Sequence, residues 1–215
     1  MDIHSIESHV KFPDMSFYDM EKPGEMALYI AHCDLYPFRS VIENNKLALD
    51  MIAEGYHQMA TEAREQDDFV TESWAMTSGL LHTSRVRLYT QYSLLLTMVS
   101  ILEEAVNTLC RVHMNMKYLT KQLKDIKGSG LERAVKYLKD VVGITGFMAD
   151  RQWEYITAIR DARNMVVHNG GRLVRDFDKK NYREEDKQLY LDYADIVKRY
   201  EVILEFIDRT FRLEI

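Results

Sequence analysis

The sequence predicts an all-α fold, a bundle of helices. Apolar residues recur at three- and four-residue spacings along most of the chain, and no run alternates convincingly as a strand would. Only 3 prolines and 9 glycines punctuate 215 residues, too few for the many turns of an all-β protein. Apolar residues make up 47% and charged residues 29%, the balance of a chain that buries a core. The length suits one sizeable domain, or one domain with a helical extension.

The elements follow in order. Residues 38–65 set Val41, Leu47, Met51, Ile52 and Met59 near a helical stripe. "TSGLL" (77–81) reads as a break, dividing an N-terminal helical extension packed on the core (1–78) from the main helical domain (79–215). Beyond it, Leu88, Tyr92, Leu95, Val99, Leu102, Val106 and Leu109 trace the buried face of a long central helix. Its longest uncharged stretch, Leu88 to Leu102, is too short to span a bilayer. The first residues lack the apolar run of a signal peptide, so the expected location is the cytoplasm, with no membrane partner.

"KGSGLERAVKYLKDVVG" has neither the spacing of a phosphate loop nor a strand before it. Ser129 and Glu132 instead match a capping box, opening a helix that ends near Gly143. The next helix starts near Asp150 and turns Trp153, Ile156, Ile159, Ala162, Val166 and Val167 toward the core. It stops at "HNGG" (168–171), where Asn169, Gly170 or Gly171 can take the left-handed conformation. A charged connection, "RDFDKKNYREEDKQ" (175–188), leads to a last helix over 185–212 that buries Leu189, Tyr193, Ile196, Tyr200, Ile203, Leu204 and Ile207.

The usual catalytic signatures are missing: there is no HExxH, GxSxG, GxGxxG or calcium loop. Cys33 and Cys110 form no CxxC pair, so neither a metal site nor a cofactor is expected, and two scattered thiols fit a reducing compartment. Glu103–Glu104 and Glu184–Asp186 are close neighbours in sequence that point to different faces, as surface charges do, with Glu103 or Glu104 alternatively a partner for a core group. The net charge of −6 disfavours a polyanion, but its distribution does not. Between Arg111 and Lys139 eight basic residues face two acidic ones, a local +6 within an otherwise acidic chain. Lys121, Lys124 and Lys127 lie in that segment and are the candidate RNA-binding residues; the plainer reading is a solvated helix face.

One stretch remains, "RDARNMVVHNGG" (160–171), in which an apolar helix ends in arginine, asparagine and histidine. Cations at a helix C-terminus are favoured by the macrodipole, a purely structural explanation. "RNMVVHNGG" (163–171) also resembles the R-[polar]-x3-H signature of HEPN domains. Upstream, "LKDIKGSGLERAVKYLKDVVGI" (123–144) and "WEYITAIRDARNMVVH" (153–168) are similar in order and spacing to bacterial members, so the likeness covers roughly residues 80–215. It implies a HEPN-type helical bundle carrying an additional N-terminal helical region. By the same resemblance the activity is metal-independent endoribonuclease cleavage by a homodimer. Such proteins are often the toxin of a toxin–antitoxin pair, with a cognate antitoxin, or an antiphage effector. Arg163 and His168 would be catalytic, with Asn164 supporting them. The alternative is an inert HEPN-like dimer serving as an interaction or RNA-binding module. One position departs from the family: members silenced through a tyrosine two residues after the histidine have no counterpart here, where that position is Gly170.

Overall fold

A computed structural model of the chain describes residues 12–128, 130–149, 151–172, 183–185 and 188–213. These form the helices α1 (Pro23–Glu65), α2 (Phe69–Leu81), α3 (Arg87–Met116), α4 (Gly130–Tyr137), α5 (Arg151–Asn169) and α6 (Tyr193–Phe211). Strands β1 (Arg183–Glu185) and β2 (Gln188–Tyr190) pair antiparallel between α5 and α6, with Glu184 opposite Leu189. The all-α class holds, with this short ribbon as its one addition among the described residues.

Helix α3 occupies the centre because it is apolar on several faces. It packs against α1, α4, α5 and α6. Leu95, Met98, Val99 and Leu102 are completely buried, and the stripe from Tyr92 to Leu109 faces inward as its periodicity requires. The first half of α1 shares this core through Leu28, Leu35 and Ile42. Pro23 begins α1, where its missing N–H costs nothing. Pro37 removes one bond within that helix. Nearby, the Tyr200 hydroxyl of α6 donates to the Leu35 carbonyl at 3.1 Å. Buried His32 ties α1 to its surroundings: its Nδ1 lies 2.6 Å from the Tyr18 hydroxyl and its Nε2 3.0 Å from Asp208 of α6.

Several sequence expectations need correction. "TSGLL" is not a break: α2 runs through a wider π turn, His82–Val86, into α3, so one helical rod extends from Phe69 to Met116 and crosses residue 78. Gly79 serves packing there, since a Cβ would sit 3.2 Å from that of Tyr56 on α1. The chain reverses earlier, at Asp67 with φ 56°, and the Asp68 carboxylate accepts from the Thr71 amide at 3.1 Å to cap α2. The rod is also long and apolar enough to cross a membrane by length and composition, beyond what Leu88–Leu102 suggests, and 56% of its apolar window is buried within the protein.

The last helix begins at Tyr193, not 185. Asp192 and Asp195 form a reciprocal capping box that fixes its start, and Leu189 is buried from a strand. Val167 is 49% exposed, on the outer side of α5. The Val41, Leu47, Met51, Ile52 and Met59 stripe is also exposed, because α1 turns Leu49, Ala60 and Ala63 inward in its place. Helix α4 continues through a π turn to Gly143, as expected. Ser129, half of the anticipated capping box, lies outside the described residues, as do Asp150, Asp186 and most of the charged connection; the Glu132 carboxylate accepts from Lys136 at 2.8 Å.

His113 on α3 is 4% exposed, and neither ring nitrogen has a partner among the described residues. Burial first, and the Lys117 charge second, push its imidazole down from 6.5 to about 4. Between these values the unfolded chain binds a proton that the folded chain refuses, so stability rises with pH. The contribution is complete above about pH 6.5 and is lost as the pH falls toward 4. His113→Phe should therefore flatten the pH dependence of the urea midpoint across this window while leaving the midpoint near pH 7.5 unchanged or raised. An unaltered slope would show that His113 titrates normally.

Candidate functional site

The motif helix α5 buries Ile156, Ile159 and Ala162, and this face sets where the polar groups point. Arg163 follows directly on Ala162 and is half-buried. Its Nε is buried without a partner among the described residues, and one terminal nitrogen donates to the Asn164 Oδ1 at 3.0 Å. Among the described residues this is the guanidinium's one side-chain partner. His168 is exposed in the last turn, four residues after Asn164 and so on the same side. Arg163 and His168 differ: five residues of helix separate them by about 7.5 Å along the axis and about 140° around it. One α5 alone does not aim both at a single atom.

The end of α5 is held firmly. The amides of Gly170 and Gly171, at φ 60° and 82°, donate to the carbonyls of Val166 and Met165. The Gly171 carbonyl accepts from the Leu189 amide of β2 at 2.8 Å, and the Tyr92 hydroxyl of α3 donates to the Leu189 carbonyl at 2.5 Å. Burial keeps the Tyr92 phenol above its ordinary range, so it remains a neutral donor. The catalytic candidates thus sit on a terminus anchored to the central helix.

Lys121, Lys124 and Lys127 are exposed in the connection between α3 and α4. A short turn at Leu123–Asp125 shapes it, and Tyr137 donates to the Lys121 carbonyl at 2.7 Å. Lys124 lines a recess of about 300 Å³ with Arg111 and Arg133; Arg111 is paired with Glu104, and Arg133 donates to the Gly128 carbonyl. Among the described residues no contact joins these lysines to Arg163 or His168. On α4, the Glu132 carboxylate is held below its usual range by Lys136 first and also by Arg160, one turn before Arg163. No group of His, Cys, Asp or Glu suited to a metal ion occurs among the described residues.

A second groove, of about 470 Å³, runs between the π turn and β2, lined by Ser84, Arg85, Arg87, Tyr190 and Asp192 among others. Leu189, which pins Gly171, is part of its wall, so the groove borders the end of α5. Arg87 is paired with Asp50 at 2.8 Å, whereas Arg85 is exposed. Its signal in the sequence was "SRVR" (84–87), which reads simply as the start of an apolar helix. Comparison with protein-family models, curated proteins and solved structures gives no match.

Gly170 and Gly171 should respond differently to alanine. A Cβ at Gly170 meets open space, so only the left-handed backbone penalises it, at about 1 kcal/mol. At Gly171 a Cβ would lie 2.3 Å from the Tyr92 hydroxyl, adding overpacking for a total of about 3 kcal/mol. Urea denaturation of the two variants should rank them in that order, and equal losses would mean that the Tyr92 contact is not formed.

Proposed function

We propose that the protein is a metal-independent endoribonuclease of the HEPN type, working as a homodimer in toxin–antitoxin or antiphage defence. The observation that supports this best is the Arg163–Asn164 hydrogen bond on the anchored end of α5, with His168 open to solvent one turn on. Cleaving RNA without a metal needs a base for the 2′-hydroxyl, an acid for the leaving 5′-oxygen and a cation for the phosphorane. His168 can move a proton and the Arg163 guanidinium can hold phosphate. A single motif provides one proton-transfer group and its two residues diverge, so the reading requires two α5 ends facing each other across a two-fold axis. The lysines at 121, 124 and 127 would bind RNA, and the Arg85 groove offers a path for it past the α5 end.

The burial of the Arg163 Nε favours a second reading, an inert dimeric interaction or RNA-binding module in which the arginine only braces the helix end. Cleavage of a labelled RNA in the presence of EDTA separates the two. His168→Ala should abolish that cleavage with the fold intact, because the side chain is exposed and a helix-end contact is worth only about 0.3–1 kcal/mol. No cutting by the parent supports the inert module, whereas wild-type cutting by this variant removes His168 from the chemistry. Mixed dimers with one His168→Ala chain should be strongly impaired; half activity would mean that each protomer acts alone.

Reversing Lys121, Lys124 and Lys127 together to Glu should weaken RNA binding and flatten its salt dependence, since each phosphate contact releases counterions. Titrations at several salt concentrations that superimpose on wild type would reduce the lysines to a solvated surface.

A further inference from the structure

The first turn of α1 meets the ends of α3 and α6 around a cavity of about 280 Å³. Its lining includes Gly24 and Glu25 from α1, His113 and Lys117 from the end of α3, and Phe211 and Arg212 from the end of α6. Gly24 brings these walls together, because a Cβ there would overlap the Phe211 carbonyl oxygen. The space is many times the roughly 15 Å³ that holds a single water molecule.

The lining residues carry unsatisfied polar groups of both signs. His113 is 4% exposed, and neither ring nitrogen has a hydrogen-bond partner among the described residues. Held well below its ordinary range, the imidazole is uncharged at neutral pH and offers one N–H and one lone pair. Glu25 Oε2 is also buried without a partner, while Oε1 accepts from Arg212 Nε at 3.1 Å. The start of α1 adds donors. Lys22 provides no side-chain cap, Pro23 has no N–H, and no described residue accepts from the amides of Gly24 or Glu25. Exposed Lys117 stands close enough for its charge to bear on His113.

These groups divide by the charge they accept. Uncapped amides at a helix N-terminus, with Lys117 on the same cavity, suit a carboxylate. A buried carboxylate oxygen without a partner suits an ammonium group. That oxygen belongs to Glu25 itself, so both kinds of group come from Gly24 and Glu25, whose Cα atoms are about 3.8 Å apart. A simple anion would leave the Glu25 oxygen unsatisfied and repelled, and a simple cation would meet Lys117 and the α1 dipole. We propose that the cavity binds a free α-amino acid: its carboxylate on the α1 amides and Lys117, its ammonium on Glu25 Oε2, and an uncharged polar side chain on His113. The site uses no residue of the α5 motif and stands apart from the ribonuclease reading.

Thermal melting and isothermal titration calorimetry of the full chain test this. The probes are L-glutamine, L-asparagine, L-serine and L-threonine, with L-leucine as the apolar comparison and acetate, ethylamine and inorganic phosphate as probes of one charge. At least one of the four polar amino acids should raise the melting midpoint in step with its concentration. It should bind about tenfold or more tighter than L-leucine or any probe of one charge. Glu25→Gln should weaken that binding by about tenfold or more, the loss of one charge-assisted hydrogen bond. Lys117→Gln should weaken it in the same direction, and its exposed position makes it the safer variant should Glu25→Gln disturb folding. No binding by any of the four, or binding indifferent to both variants, overturns the proposal. So does equal binding of L-leucine, or tight binding of acetate or phosphate that Glu25→Gln strengthens, which would make the cavity a plain anion site.

Discussion

Everything in this molecule is arranged around the need to bury α3 on several sides at once. A helix with fully buried positions at Leu95, Met98, Val99 and Leu102 cannot be satisfied by a single neighbour, so α1, α4, α5 and α6 must all dock against it. That requirement explains why the first half of α1 belongs to the same core despite its distance in sequence. It also explains why polar ties such as Tyr200–Leu35 and His32–Asp208 lie between α1 and α6, where buried polar groups must find partners.

The candidate site depends on the same helix at one remove. Tyr92 belongs to the buried stripe of α3, but its hydroxyl ends on the Leu189 carbonyl, and the Leu189 amide bonds the carbonyl of Gly171. A core residue thereby fixes the C-terminal turn of α5 that presents Arg163, Asn164 and His168. Glycine at 171 is what allows the approach, since any side chain would occupy the space of the tyrosine oxygen. The arrangement holds the motif rigidly and leaves its histidine in water.

The hairpin of α1 and α2 follows the opposite logic. Past the Arg87–Asp50 pair, α2 has α1 as its main support, and the apolar pattern that elsewhere marks a core is left facing outward. The π turn at His82–Val86 lies at this junction. An insertion of this kind shifts the helical face, so the side that α2 turns to α1 need not continue as the side that α3 turns to the core. One rod thus serves a buried bundle at one end and an exposed surface at the other.

The sequence by itself determined the helical class, the central helix, the stop at Gly143 and the end of α5, because each is encoded locally by periodicity or by glycine. It also singled out Arg163, Asn164 and His168 by their position at a helix end. Tertiary structure decided the rest. The stripe at Val41, Leu47, Met51, Ile52 and Met59 has the spacing of a buried face, and only the position of α1's neighbours shows that it points outward. Gly79 resembles a break, yet it provides space for Tyr56, a residue 23 positions away. Leu189 has the spacing of the last helix, but its pairing with β1 and with Gly171 makes it a strand. Periodicity records that a residue avoids water in some context; which partner removes it from water is a non-local property that only the assembled fold supplies.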